Sequence, residues 1–370
     1  MDTVTHALLG AGMADCWFRR RLGPVAAPLA LIAAAAPDLD MIAYFVSPET
    51  AWATHRGYSH SLLALALAGP AFGSLGWLFA KRAGPWILWT LLAWLCLFSH
   101  TFLDLATSWG TMPLLPFSNA RISWDILPIV DVFMSSVLLT SFIANRLLRR
   151  ERVETFLNPL AYPVTHKHPG RRSAADRVAA VAVILAAAYF CVGWLQNRQT
   201  VRIAREALAA SGFPAVEVRA LPIMFTFIAY DIVARDADGV IRKAHYSSWA
   251  PKAPVFAEFP APKGGLAETA LNTVQGRLFS WHAQGMVGAL PPRAEGEGWR
   301  LTLVDRRFSA PTDIARPGWA MDFVFDRNRR VVSAAAERIR FPAAALGDEL
   351  KAWWFLTRYG DARGLDAGSG

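Results

Sequence analysis

The stretch Ala83–Asp104, AGPWILWTLLAWLCLFSHTFLD, decides the fold. It holds no charge before its last residue, and it is as long as the roughly 20 apolar residues that cross a bilayer core. Such a run reads as a membrane helix. Near its end stand His100 and Asp104, four residues apart and so on one helical face. Ionisable groups at membrane depth are costly and tend to serve function. One segment therefore sets both a fold and a place to look for chemistry.

Working outward, Ser61–Ala80 is a second uncharged span, Ile126–Ala144 is a third interrupted by Asp131, and Val178–Gln196 is a fourth between Arg177 and Arg198. Val4–Phe18 and Leu22–Ala36 are shorter and rich in Ala and Gly, which allow close helix contacts in lipid. The expected architecture is an integral membrane α-helical bundle of about six helices, some short. A soluble α+β domain with a mostly antiparallel sheet follows. The expected boundaries are a membrane domain at 1–150, a basic cytoplasmic loop at 151–176, a transmembrane helix at 177–199 and a soluble domain at 200–370.

Composition agrees. The chain has 370 residues, 54% of them hydrophobic and 18% charged, against about 25% charged in soluble domains. Residues 1–200 carry 16 Lys/Arg and 11 Asp/Glu, whereas residues 201–370 carry 22 and 18. This excludes a disordered chain or a small disulfide scaffold. Cys16, Cys96 and Cys191 all lie in apolar segments and read as structural thiols. The start lacks a positive n-region, so no standard cleavable signal peptide is expected. The net charge of +9 is assigned to topology rather than to nucleic acid, because basic residues flank the apolar runs. Arg19 to Arg21, Lys81, Arg82 and eight residues between Arg146 and Arg177 share one side, 13 in all. The other side has mainly Arg56 and Arg121. The positive-inside rule puts the 13 in the cytoplasm, and in a bacterial inner membrane the C-terminal domain becomes periplasmic.

In residues 200–370, Ala215–Ala220, Phe225–Arg235, Val240–Ser248, Trp299–Asp305, Ala320–Phe325 and Val331–Ala335 read as strands. Turns are expected at Asp236–Gly239 and Asp326–Arg329, and a closing helix at Ala344–Thr357.

On this topology the titrating residues converge at one membrane face. His6, Asp38, Asp40, His55, His60, His100, Asp104, Asp125 and Asp131 all fall at that end of their helices. Imidazole and carboxylate are the usual non-thiolate ligands of zinc, manganese and iron. His6, Asp38, His55, His60, His100 and Asp104 are the candidate metal ligands. Asp40 and Asp131 are candidates for a general base or for orienting a ligand, and Arg56 for neutralising a phosphate. Competing structural readings are a cap from Ser59, a cap from Asp125 for the helix after it, and a turn after Pro37. Thr107 and Ser108 read mainly as capping or turn residues, and His166, His168, His245 and His282 as solvated or isolated. No glycine-rich phosphate loop, Gly-x-Ser-x-Gly elbow or zinc ribbon is present.

Five motifs in order carry a resemblance. They are Thr5-His6 with Gly10, Pro37-Asp38-Leu39-Asp40, and His55-Arg56-Gly57-Tyr58-Ser59-His60-Ser61. His100-Thr101-Phe102-Leu103-Asp104 with Thr107–Thr111, and Ser123–Asp131, complete the set. Together they resemble the membrane-bound metal-dependent hydrolases of the YdjM type over residues 1–145. More remotely, the His/Asp pattern is similar to that of zinc-dependent phospholipase C and P1-type nucleases. The chain departs in having Trp109 where many relatives have Tyr before the glycine, and Pro128, expected to bend helix 5.

The resemblance implies a metal-dependent hydrolase with a divalent metal, zinc or alternatively manganese, that lowers the pKa of a water. Location at the headgroups points to a phosphoester or acyl ester of a lipid, with the bilayer as partner. The alternative is a non-catalytic, metal-stapled protein of transport, sensing or binding. Candidate ligands outnumber the four that a structural zinc uses, which favours catalysis. Oligomeric state is not legible.

Overall fold

A computed structural model describes residues 1–149, 173–338 and 346–360. The expected basic loop falls mostly on 150–172, with His166 and His168, and lies outside the described residues, as does the tail from residue 361. Two compact units divide the chain. Met1–Ile42 and Thr54–Gly193 form the first, and Ala43–Ala53 and Trp194–Gly370 the second.

The first unit is helical. Helix α1 (Thr3–Met13) starts at Asp2, whose carboxylate accepts the Thr5 N–H, and continues through a π turn at Ala14–Phe18 into Arg19–Leu22. Helix α2 (Ala26–Ala35) runs on as a 3-10 stretch, Ala36–Phe45. The short α3 (Pro48–Thr54) lies almost wholly in the second unit, and the first resumes with α4 (Leu62–Phe79) and α5 (Trp86–Leu105). Then follow α6 (Val132–Leu148) and α7 (Ala174–Ala210). Four helical segments are long and apolar enough to cross a membrane: Ala26–Phe45, Leu62–Phe79, Trp86–Leu105 and Ala174–Ala210. The core is a run of small residues, Ala26, Ala30, Ala33 and Ala34, against Leu22, Trp89, Leu92 and Cys96. Leu67, Leu91, Leu95 and Ile184 point outward and are exposed, as expected of helices solvated by lipid.

Three expectations shift. The fifth helix begins at Val132 with Asp131 as its cap, so Asp125 is not that cap and sits in a loop with φ +55. Pro128 precedes this helix and therefore does not bend it. Ser61, not Ser59, caps α4 by accepting the Ala64 N–H.

The second unit is α+β. One sheet has the order β1-β2-β3-β4, from Ala215–Pro222, Ala229–Asp236, Ile241–Ser247 and Ala257–Phe259. A second has β11-β10-β7-β5, from Val331–Arg338, Trp319–Phe325, Gly298–Asp305 and Val287–Ala289, with β6 (Arg293–Glu295) beside β7. The hairpin β8-β9 joins Ser309–Ala310 to Asp313–Pro317. The pairings are antiparallel. The expected turn at Asp236 is present, with its carboxylate accepting the Val240 N–H at 2.8 Å and Gly239 at φ +86. Helices α8 (Gly265–Leu271) and α9 (Val274–His282) sit between the sheets in sequence, and α10 (Leu346–Tyr359) closes the unit. The last turns of α7 bury Ala204 and Leu208 against Tyr230, Ile232, Ala234 and Ala244. Trp52 of α3 is fully buried in this unit, stacked on His282 at 5.1 Å.

Candidate metal centre

Each polar side chain of the centre is delivered by a local feature. On α1, His6 follows the Asp2 cap by one turn. Gly10, one turn further, lets α1 lie against α2, since a Cβ there would stand 2.6 Å from the Ala30 carbonyl oxygen. That contact also places the Ala34 carbonyl, which accepts a hydrogen bond from His100 Nδ1 at 2.6 Å. Asp38 and Asp40 leave the tight 3-10 stretch after Pro37. His55 and His60 bracket a kinked loop. Its Arg56 is in the left-handed region at φ +61, and a Cβ on Gly57 would meet the Thr54 oxygen at 2.6 Å. A left-handed, buried arginine is uncommon and has to be held by its surroundings. Here the Arg56 N–H donates to Asp40 Oδ2 at 2.9 Å, and its guanidinium to Thr107 Oγ1 at 2.6 Å.

Four groups meet at the middle. His60 Nε2 and His100 Nε2 stand 3.0 Å apart. Asp104 Oδ2 lies 3.0 Å from the first and 3.4 Å from the second, and Asp38 Oδ1 lies 3.7 and 3.5 Å from them. All four side chains are buried. Two facing ring nitrogens at this distance cannot both carry protons between them, so at least one lone pair points into the cluster. Ligands about 2.0–2.1 Å from a tetrahedral ion are separated by about 3.3 Å, and by about 3.0 Å at right angles in an octahedral one. The observed edges have that size.

The outer partners have the form expected around metal-bound imidazoles. A backbone carbonyl can only accept, so His100 carries its proton on Nδ1 and leaves Nε2 for the cluster. His60 Nδ1 is within 2.9 Å of Ser59 Oγ and 3.3 Å of Asp40 Oδ2. Asp40 Oδ1 is 2.6 Å from His55 Nδ1, and Thr3 Oγ1 donates to Asp38 Oδ2. Burial pushes the His60 imidazole down, but hydrogen bonds to Asp104, Asp38 and Asp40 outweigh it and hold its pKa at about 10. Burial pushes His55 down, against the pull of Asp40. The buried imidazoles and carboxylates could thus hold a metal ion at their middle.

The remaining candidates divide. Asp38, Asp40 and His55 form a second set within ligand spacing, sharing Asp38 with the first. His6 approaches Asp104 from the other side, Nε2 to Oδ1 at 3.2 Å, and its ring stacks on His100 at 3.7 Å. Arg56 also faces Oδ1, at 2.9 Å, and the Met1 amino group pairs with the same oxygen. Asp131 is engaged elsewhere, by the Met134 N–H at 2.8 Å and the Tyr189 hydroxyl at 2.7 Å. Thr107 donates to the Asp104 carbonyl at 2.9 Å while accepting from Arg56. Sequence reading did not identify Thr3, Ser59 or the Ala34 carbonyl as supports. Thr3 and Ser59 stand close to candidate ligands in sequence, which was the available signal, whereas a carbonyl has none.

The family model described as YdjM inner membrane protein matches residues 1–200. The uncharacterized protein YfhP of Bacillus subtilis (strain 168) is 29% identical over 147 residues, which are 36% of this chain and 43% of that protein. The chain therefore matches less than half the length of that relative. No solved structure matches, and the likeness to phospholipase C and P1 nuclease patterns gains no support.

Proposed function

Because the chain belongs to the YdjM inner membrane protein family, we propose that its His/Asp centre makes it a membrane-bound metal-dependent hydrolase of a phosphoester or ester at the membrane face. The observation that carries this reading is the set of ligand-sized edges among His60, His100, Asp38 and Asp104. These four would hold a divalent cation, zinc or manganese. When bound, such an ion supplies Lewis acidity, which lowers the pKa of water and polarises the ester oxygen. The Ala34 carbonyl and Asp40 orient the two imidazoles. His55, held by Asp40, would complete a second set through the shared Asp38. Arg56 places a buried positive charge beside Asp104, suited to an anionic phosphoester oxygen. His6 and Asp104 complete that wall. Lipid is the natural source of such a substrate, and the charge pattern of the loops supports a periplasmic side for the centre and the C-terminal unit.

Metal analysis of the detergent-purified full chain tests the site. Wild type should hold one or two equivalents of zinc or manganese, and His100→Ala should hold none. The loaded protein should then hydrolyse a member of a phosphoester and lipid-ester panel. Activity that survives complete metal removal would sink the reading. Full burial of the four groups favours a second reading, a closed structural metal without catalysis. In that case metal loss would lower thermal stability, and no member of the panel would be turned over.

A further inference from the structure

In the second unit, strands β2 and β3 are buried on both faces, and the two faces differ. Ala244 and Tyr246 of β3 share the apolar face with Tyr230 and Ile232. Alternation along the strand sends Lys243 and His245 to the other face, where Asp231 stands directly across from His245. Asp231 is engaged there. It accepts from the Ser309 N–H at 3.0 Å and the Ser309 hydroxyl at 2.8 Å, and it lies 2.9 Å from His245 Nε2. Lys243 is 1% exposed, and its cross-strand neighbours, Val233 and Ala257, offer no side-chain acceptor. Among the described residues its ammonium makes no hydrogen bond and no ion pair. A fully buried lysine is rare unless it is paired.

A second cation covers the same face. Arg306, 5% exposed, lies over the Phe259 ring at 4.1 Å. Phe259 is paired with Ile241, two residues from Lys243 and on its side of the sheet. A Cβ on Gly288 would stand 2.5 Å from Arg306 Nε, so the glycine leaves that side chain its place. Arg306 Nη1 donates to the Ala315 carbonyl at 3.0 Å, and Nε is buried without a partner among the described residues. Burial lowers the Lys243 pKa, Asp231 pulls it back, and the like charge of Arg306 lowers it further. Charge around the two cations is nearly balanced, because Asp231 and Asp313 act on Lys243 through space and Asp305 is closed in a pair with Arg307 at 2.7 Å. Acceptors are what is short. Asp231 is taken by Ser309 and His245, and Asp313 is exposed and accepts the Ala315 N–H at 2.8 Å. Buried charged donors without acceptors are costly, and such groups in native proteins point to a water or an ion. We propose that Lys243 and Arg306 form a binding site for a carboxylate group, held between the ammonium and the guanidinium. Two cations against one buried carboxylate, Asp231, match a single negative charge, whereas a phosphate dianion would add repulsion from Asp231. This site lies wholly in the second unit and does not depend on the function proposed for the His/Asp centre.

Equilibrium dialysis of radiolabelled acetate against the metal-stripped full chain in detergent tests it; stripping removes the His/Asp centre as a competing anion site. Wild type should bind one acetate per chain with a Kd of about 0.04–1 mM, the range open to a ligand of four non-hydrogen atoms. Lys243→Met and Arg306→Met should each weaken binding about 10–100-fold, the effect of losing a charge-assisted hydrogen bond. Both variants keep much of the apolar stem, and acetate-free melting temperatures close to wild type check that the fold is intact. A purely structural role for the two cations gives another pattern, in which both variants melt lower and wild type takes up no acetate. Absence of saturable uptake by wild type overturns the proposal, whatever the variants do, and so does uptake that is unchanged in both variants. Tighter uptake of inorganic phosphate than of acetate overturns the assignment to a carboxylate.

Discussion

His60 is the residue on which the charge balance of the centre turns. In the metal-free protein its pKa is held at about 10, above the unfolded value of about 6.5. A group raised in this way adds stability below about 6.5 and loses it as pH climbs toward about 10. A bound metal needs the neutral imidazole, so loading expels the proton and removes that dependence. Chelated protein should therefore melt at falling temperatures from neutral to alkaline pH, while loaded protein stays level over the same range; parallel curves would contradict this assignment. Asp40 acts one step out, through His55 and His60. Asp40→Asn should weaken metal affinity about 10–100-fold without abolishing it, read by competition with a chromophoric chelator. A loss as complete as that of His100→Ala would make Asp40 a ligand. The sequence exposed His60, His100 and Asp104 because imidazole and carboxylate inside apolar runs need a reason. It could not separate Asp131 from them, since a cap and a ligand are the same residue type until the partner is seen. Tyr189 and the Met134 N–H are what distinguish it.

At the scale of elements, the centre depends on how closely α1 and α2 approach. Gly10 sets that distance. A side chain there meets the Ala30 backbone oxygen at 2.6 Å and the Ala34 Cβ at 2.7 Å, and backbone cannot swing away. Gly10→Val should destabilise the helical unit by about 1–3 kcal/mol. It should also loosen metal binding, because the Ala34 carbonyl that fixes His100 moves with α2. Thermal melts with and without metal separate the two effects: a destabilised protein with unchanged metal affinity would mean that the α1–α2 contact does not position His100. The long apolar helices were legible because hydropathy over about 20 residues is a strong signal. The end of α7 was not, since Gln196–Ala210 buries only spaced residues such as Ala204 and Leu208 and exposes the arginines between. Its signal is a period of 3.6 rather than a continuous apolar run. Strands such as β5, β6 and β8 hold too few residues for alternation to show. The burial of Trp52 has no local sequence signal, because its partners Phe279, His282 and Trp319 are more than 200 positions away.

For the whole molecule, the open question of greatest consequence is which side of the membrane the His/Asp centre faces. Charge asymmetry bears on it, and the structure shows which of the counted residues are engaged. Arg56 and Arg121 were the main basic residues at the His/Asp end. Arg56 is buried on Asp104, and Arg121 donates to the His55 carbonyl at 3.1 Å. Both are therefore engaged in holding the centre, and Arg198, just past the last span, is the exposed basic residue next to that side in sequence. Lys81 and Arg82, in the turn between α4 and α5 at the opposite end, are exposed. The exposed basic charge of the Lys81–Arg82 turn agrees in direction with the sequence count. The expected outcome is that the centre faces the periplasm. In a background with Cys16, Cys96 and Cys191 replaced, a cysteine introduced as Ala120→Cys should react with a membrane-impermeant maleimide in intact spheroplasts. Arg82→Cys should react only after permeabilisation. Ala120 and Arg82 are both exposed, so accessibility itself does not limit either reaction. The reverse pattern would place the centre in the cytoplasm. An ester substrate would then have to come from the inner leaflet or the cytosol, and Lys81 and Arg82 at the far end would lie against the outer leaflet, opposite to what the positive-inside rule expects.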